Sequence, residues 1–519
     1  MTFPRKIGIL LLLLAAAAYA GHEAGLSLPS LRWFFSFDSA PGAFPEDHWR
    51  AEQGRWIGYG FCGLMALTGL LLLAMGGGFQ WNPLTVRKFS RFRSIGRGWL
   101  SFRLLMLLLL LTLLDQVVAG RQALAVKYDG KWFFPAFREA AFAAKDFGGE
   151  GDQEADYRQL KADFKERKSG NFVIMPLIPW EPVLDSDELQ KRPLDNLDGK
   201  IHRAGDNQPF NGYAVQFWPE SPEVKLRDAR FRGGLREGPA TLFDGKGEFA
   251  GKQTWHQGEL VETSVPDEGP PPGDLRWVEI IYKPAPPSLA EQHYLGTDSN
   301  GWDIAAQLFG GLQVIFKAAF VYILLTYGIG ITIGSMMGYF GGAFDLIMDR
   351  FVEILSNVPF LLVVIIITAN IGRDNIDLAT ILLVFCVFSW IGVSVYLRTA
   401  TYREKARDYV AAARVQGAGT FRVVFRHILP NAISTIVTLL PFSVAALATS
   451  LTALDFLGFG LPDRYPSWGR VLEDGTSNLS STWIVSSVFA VMVGVLLLIT
   501  FVGEAIREAF DPKKFTTYQ

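Results

Sequence analysis

The residues able to do chemistry are thinly spread. Six histidines, His22, His48, His202, His256, His293 and His427, stand far apart, and the two cysteines, Cys62 and Cys386, sit inside apolar runs. A metal site needs three or four His, Cys or carboxylate ligands converging on one ion, and no such spacing occurs, so no metal and no disulfide framework is expected. No Gly-x-x-x-x-Gly-Lys-Ser/Thr string occurs either. The chain therefore lacks the loop that cradles nucleotide phosphates, and neither an enzyme nor a cofactor is expected.

What remains is concentrated charge. Arg398, Arg403, Lys405, Arg407, Arg414, Arg422 and Arg426 face only Glu404 and Asp408 in one segment. Within it Asp408 is suited to cap the N-terminus of a two-turn helix, and Gly417 to follow its C-terminus. Thr420 is suited to cap the next helix, so the segment reads as helix, sharp turn, helix. Alanines 411 to 413 give the first helix a small, flat surface fit for a groove on another protein, and its basic neighbours favour an acidic partner. From physics alone the same segment also reads as a charged surface helix near anionic lipid.

The elements that hold this segment are membrane spans. Half of the 519 residues are apolar and 19% are charged, against about 25% in ordinary soluble chains. With 49 basic and 51 acidic side chains, the net charge of -2 supplies no global field for nucleic acid. A spanning helix needs about 20 apolar residues. Seven runs qualify: Ile57 to Met75, Trp99 to Ala119, Leu312 to Met337, Phe351 to Ile371, Leu378 to Leu397, Ala432 to Leu454 and Trp483 to Val502. An eighth, Ile7 to Ala20, is short, follows Arg5 and Lys6, and ends Ala18-Tyr19-Ala20. It reads either as a retained helix or as a cleaved signal. Arg103 and Asp115 lie in the Trp99 run; Arg103 can snorkel, whereas Asp115 is either interfacial or in contact with substrate. Glycines 310, 311, 328, 330, 334 and 338 lie in or beside one long run, where small residues allow close helix packing.

Lys and Arg concentrate on the cytoplasmic side of membrane proteins. Arg87, Lys88, Arg91, Arg93 and Arg97 in the 80–98 loop, the 398–426 block, and Arg507, Lys513 and Lys514 after the last run all read as cytoplasmic. Residues 120 to 303 are then outside. That region is polar and aromatic, and it contains an internal echo: Gly212 to Phe217 with Gly238 to Phe243, and Phe231 to Leu235 with Trp255 to Leu260. Each copy reads as a hairpin of a small antiparallel sheet and resembles the MORN-type repeat; an ordinary meander is the alternative. Seven prolines between Pro266 and Pro287 make a stiff return to the membrane.

The basic segment resembles the signature of binding-protein-dependent ABC importer permeases. Ala412, Ala413, Gly417, Leu429 and Pro430 match at its spacings, while Ala411 stands in the Glu position and His427 in the Ile position. Asp408-Tyr-Val-x-Ala-Ala-Arg-x-x-Gly417 and Arg426-His-Ile-Leu-Pro-Asn431 look like the dipeptide and oligopeptide permeases. Leu295 to Asp303, with Trp302 replacing an Arg, Gly338 to Gly342 with Asp345, Arg350, Glu353 and Pro359, Leu454 to Pro462, Pro466 to Gly469 and Gly503 to Pro512 extend the likeness. Lys127 to Pro135 and Glu154 to Tyr157 resemble microcin C-type peptide permeases.

The resemblance implies an all-α polytopic membrane protein. A six-helix type I permease core would carry one or two extra N-terminal helices and an inserted extracytoplasmic β-rich domain. Residues 1–80 would be an N-terminal extension, 81–119 a basic segment and first core helix, 120–287 the outer domain with its repeat at about 212–260, and 288–519 the transmembrane domain with a coupling loop at 398–431. ATPase coupling would fall to Arg403, Asp408, Tyr409, Ala412, Ala413, Arg414, Gly417, Leu429 and Pro430; substrate-binding residues are not identified. The implied partners are a second homologous permease, two ABC ATPase subunits, an extracytoplasmic solute-binding protein, a peptide and membrane lipid, without nucleic acid. The alternative is a membrane-anchored receptor or adhesion module acting through its outer hairpins.

Overall fold

The computed structural model describes residues 3–26, 53–75, 83–138, 141–149, 154–167, 170–183, 185, 191–203, 209–218, 221–244, 249–264, 276–280, 284–371 and 376–510. His48, the prolines at 266–272, Lys513 and Lys514 lie outside them. The chain divides into two units, Met1–Asp185 with Pro286–Gln519, and Ser186–Ala285.

The first unit begins with α1 (Phe3–Glu23) and α2 (Gln53–Met75), which pair closely. They run antiparallel: Gly8 packs on Gly69, and Tyr59 donates to Glu23 Oε1 at 2.8 Å. The basic stretch expected as a loop is a helix instead, α3 (Pro83–Ser94). Its charges alternate with apolar residues at helical spacing, so Phe92 is buried against Val502, Ala505 and Ala509 while Arg87 and Arg93 stay outside. The next helix, α4 (Gly96–Leu113), starts earlier and stops sooner than the Trp99 to Ala119 run. Asp115 opens a separate short turn, Asp115–Val118, and its side chain lies outside the described residues.

Beyond α4 the chain forms a three-stranded antiparallel sheet in the order β2-β1-β3. Its strands are β1 (Ala125–Tyr128), β2 (Lys131–Phe133) and β3 (Phe172–Ile174). Against it lies α5 (Tyr157–Arg167), and Val126, Phe147, Tyr157, Phe164 and Val173 make the shared core.

The longest apolar helices follow. Asp303 accepts from the Ala306 backbone N–H at 2.7 Å and so caps α6 (Ile304–Phe340). The run expected as one span, Phe351 to Ile371, is broken into α7 (Gly342–Ser356) and α8 (Phe360–Ile371), bent by 68°. Pro359 has no N–H to continue the ladder and biases Val358 away from helix, which accounts for the break. Then come α9 (Leu378–Lys405), α10 (Asp408–Val415), α11 (Leu429–Phe456), α12 (Trp468–Ser477) and α13 (Thr482–Phe510). Among the described residues, six helices are long and apolar enough to cross a membrane, and α7 with α8 makes a seventh if the bent pair is one span.

The closest helix pair is α6 with α9. A Cβ on Gly330, Gly334 or Gly338 would meet the α9 backbone at 2.9, 2.4 or 2.6 Å, so these glycines let the two backbones approach. Gly328, in the same run, faces open space. The core between the helices is apolar, with Val314, Ala318, Leu382, Phe385, Leu451 and Leu454 buried together.

The second unit is one antiparallel sheet in the order β11-β10-β9-β7-β6-β12-β4-β5, with β8 paired to β7. The strands are β4 (Lys191–Leu197), β5 (Lys200–Arg203), β6 (Gly212–Trp218), β7 (Ser221–Arg232), β8 (Leu235–Arg236), β9 (Gly238–Phe243), β10 (Phe249–His256), β11 (Glu259–Thr263) and β12 (Trp277–Ile280). The echoed segments fall on matching hairpins, β6 with β7 and β9 with β10. Nothing beyond that pairing supports a MORN-type repeat. The hairpins are part of a larger sheet, because β12 pairs with β6 through Val278 and Val215 and with β4 through Trp277 and Leu194.

Candidate functional site

The basic segment lies where three long helices end. α9 closes at Lys405, α10 follows after two residues, and Gly417 turns the chain with φ +81° toward Thr420–Arg422. The expected caps are displaced by one residue. Arg407 is the N-cap of α10 and Gly419 that of the following helix, neither with a side-chain cap. Asp408 instead sits in the first turn, where its negative charge complements the exposed N–H groups.

The next turns are wound as a π-helix, Val423–Ile428, before α11 begins at Leu429. Pro430 cannot donate to the carbonyl four residues back and its ring crowds that carbonyl, which favours the wider register just ahead of it. Leu429 packs with Leu397, Ala400 and Ala432, and Pro430 is exposed.

Buried contacts tie α10 to its surroundings. Val410 is fully buried with Val423 and Ile428, against Tyr339 near the end of α6 and Ala418. Ala413 is buried as well. Tyr409 donates to Glu404 Oε2 at 2.9 Å, and Asn431 Nδ2 donates to the Tyr409 hydroxyl at 3.1 Å. Burial and the Glu404 carboxylate push the Tyr409 phenol above its ordinary range, so it stays a neutral donor. The Arg414 guanidinium lies 5.0 Å from the Tyr339 ring centre, and Lys405 Nζ donates to the Tyr339 carbonyl at 2.5 Å. The short helix is thus fastened to α6 through Tyr339, to α9 through Glu404 and to α11 through Asn431.

The outer face of the same helix is open. Ala411, Ala412, Arg414 and Val415 are exposed, Val415 at 89%, and Phe421 stands beside them at 74% with its ring 4.4 Å from that of Phe425. Arg403 and Arg407 are exposed too, and Arg403 Nε lies 3.7 Å from Glu404 Oε1. Sequence reasoning found the exposed Ala411 and Ala412 and the arginines, but it placed Ala413 on the same surface, whereas Ala413 turns inward and is buried. It missed the Phe421 and Phe425 knob and the Tyr339 anchor, because an aromatic among apolar neighbours gives no sign of which way it faces.

Two further clusters gather motif residues. Arg398 on α9 donates to Asp345 Oδ2 at 2.7 Å and Asp349 Oδ1 at 2.6 Å on α7, and Tyr402 donates to Asp345 at 2.6 Å. Arg350 and Glu353 pair on the same helix. At the other end, Asp455 accepts from the Leu461 N–H at 2.7 Å and bonds Ser467, which caps α12. Trp468 Nε1 donates to the Leu308 carbonyl at 2.9 Å. A Cβ on Gly469 would meet the Thr452 carbonyl oxygen at 2.2 Å, so this corner admits only glycine.

The sequence model of the binding-protein-dependent transport system inner membrane component family matches residues 330–516, from the second half of α6 onward. The peptidoglycan transport system permease protein YejE of Agrobacterium fabrum (strain C58) is 29% identical over 433 residues, covering 83% of this chain and 94% of that protein. The inner membrane ABC transporter permease protein YejE of Escherichia coli K12 is 29% identical over 433 residues, covering 83% of this chain and 98% of that one. The oligopeptide transport system permease protein OppC of Lactococcus lactis subsp. lactis (strain IL1403) is 34% identical over 233 residues, 44% of this chain and 78% of its own length. With the π-wound turn, the fastened short helix and the glycine corner all inside the matched region, this chain belongs to the binding-protein-dependent transport system inner membrane component family, as a multi-pass permease and not an enzyme.

Proposed function

We propose that this chain is the permease subunit of an ABC importer for peptides or peptide-like solutes, and that α10 is the element through which partner ATPases drive it. The observation that carries the reading is the fastening of α10 to three long helices by Tyr339, Glu404 and Asn431 while its alanine and arginine face stays open. A displacement of α10 reaches α6, α9 and α11 together, as alternating access requires. The relatives named for oligopeptide and peptidoglycan transport support a peptide-like cargo.

Arg403, Asp408, Tyr409, Ala412, Ala413, Arg414, Gly417, Leu429 and Pro430 form the coupling region in this proposal. The assembly comprises a second homologous permease, two ATPase subunits and an extracytoplasmic binding protein. The 398–426 block and α3 are cytoplasmic and residues 120–303 outside. Support for a common side comes from α3, which packs on the end of α13 by Phe92, and from Arg97 at the start of α4, which reaches Glu504 at 3.5 Å.

Purification from the native membrane followed by uptake of labelled peptides of several lengths tests the function. An ATPase should copurify and uptake should require ATP; a chain that carries no ATPase and takes up no peptide refutes the proposal. For orientation, a cysteine replacing Ser264 should react with a membrane-impermeant thiol reagent in cells whose outer barrier is opened, and one replacing Ser90 should be protected. The reverse labelling inverts the topology.

A further inference from the structure

The unit Ser186–Ala285 has one face whose chemistry the transport reading leaves unused. Most of that face is apolar: Ala214, Ala229, Phe231 and Ala240 are buried together. Two arginines interrupt it. Arg227 on β7 and Arg236 on β8 lie 5.3 and 5.2 Å from the centre of the Trp277 ring, and Arg236 lies 4.3 Å from that of Trp255. Arg227 Nε donates to Gln216 Oε1, its cross-strand neighbour. Among the described residues, the remaining guanidinium N–H groups of Arg227 and all those of the Arg236 guanidinium have no hydrogen-bond or ion-pair partner.

Among the described residues, the nearby carboxylates are already committed. Glu279, on the same face, is held by Arg203 through two hydrogen bonds of 2.9 and 2.7 Å. Asp228, next to Arg227 in sequence, points to the opposite face and accepts from the Thr241 N–H at 3.0 Å. The Trp255 indole N–H is buried and has no acceptor.

Burial, reinforced by the Arg227 charge, pushes the Arg236 guanidinium down to about 10, so it is still a cation at neutral pH. Two neighbouring cations desolvated against indole rings repel each other, and a buried indole N–H without an acceptor adds to the imbalance. One anion between them relieves all three defects. Guanidinium forks match the planar pair of oxygens in a carboxylate, and the half-buried Trp255 ring offers apolar surface to whatever carries it, while Trp277 lies buried beneath the two arginines.

We propose that this face is a binding site for a small carboxylate-bearing ligand, its oxygens held by Arg227 and Arg236 with the Trp255 indole N–H, and its body against the half-buried Trp255 ring. The proposal does not depend on the transport reading. It is tested by calorimetric titration of the full-length chain in lipid nanodiscs with N-acetyl-Ala-Ala-Phe, the same peptide as its C-terminal amide, and inorganic phosphate. The free acid should bind, and loss of one charge-assisted contact should make the amide at least about tenfold weaker. Arg236→Gln should weaken the acid by a similar factor. Trp255→Phe keeps one aromatic ring but removes the N–H donor with the pyrrole part of the indole, so it should weaken binding about threefold to tenfold. If Arg236→Gln does not fold, Trp255→Phe alone decides. Equal binding of acid and amide, affinity unchanged by Trp255→Phe, phosphate bound more tightly than the acid, or no binding at all each overturns the proposal.

Discussion

Gly417 isolates a backbone requirement from a packing one. Its φ is +81°, yet a Cβ there would touch nothing within 4 Å, so a substitution meets strain without a clash. A side chain in that left-handed region costs roughly 1–2 kcal/mol, less for Asn, and the chain can escape the cost only by redirecting the exit from α10. Gly417→Leu should therefore insert normally but lose substrate-stimulated ATPase activity in the reconstituted complex, while Gly417→Asn keeps most of it. Full stimulation and full transport by the leucine variant would remove Gly417 from coupling. This residue was legible in the sequence because only a left-handed turn explains a glycine between two helical patterns. The capping residues were not. Asp408 and Thr420 have the right chemistry for caps, but Val410 must reach the cluster with Val423 and Ile428, and that packing moves both helix starts by one residue.

Among the elements, hydrophobic length was the reliable signal and continuity was not. The runs at Leu312, Leu378, Ala432 and Trp483 lie within α6, α9, α11 and α13, because about 20 apolar residues have one stable arrangement in lipid. The Phe351 run failed at Pro359, and the 80–98 segment hid a helix because its positive charges mask an apolar stripe that only α13 reveals. The glycine stripe of α6 divides the same way, since sequence cannot tell Gly328 from Gly334. The structure does: Gly334 would put a Cβ 2.4 Å from the Ser394 carbonyl oxygen, backbone that cannot yield, whereas Gly328 faces open space. Gly334→Leu should force α6 from α9 and destabilise the chain by about 1–3 kcal/mol, the usual range for overpacking. The thermal midpoint of the detergent-purified protein should fall clearly for Gly334→Leu and stay within error for Gly328→Leu. Equal midpoints would mean that the α6 and α9 contact does not limit stability.

At the scale of the whole molecule, the question is where the chain can be cut. The echoed hairpins suggested a separable insertion at about 212–260, since they are what the sequence makes visible. Sheet pairing argues for wider limits. β4, β5 and β12 carry no repeat, yet β12 sits between β6 and β4 and pairs with both, so removing 211–261 strips β12 of the β6 edge and uncovers Trp277 and Leu194. An unpaired edge beside exposed aromatic surface is an aggregation hazard. Cutting at the unit boundaries, Ser186 and Ala285, removes the whole sheet together with its own core. Replacing residues 186–285 with a short Gly/Ser linker should give a permease that inserts, elutes as a single species and still binds its ATPase. The shorter excision should give lower yield and aggregation in the same expression and size-exclusion comparison. If the shorter excision behaves as well as the longer one, β12, β4 and β5 hold together without β6; if the longer one fails to insert, the sheet is a structural part of the permease.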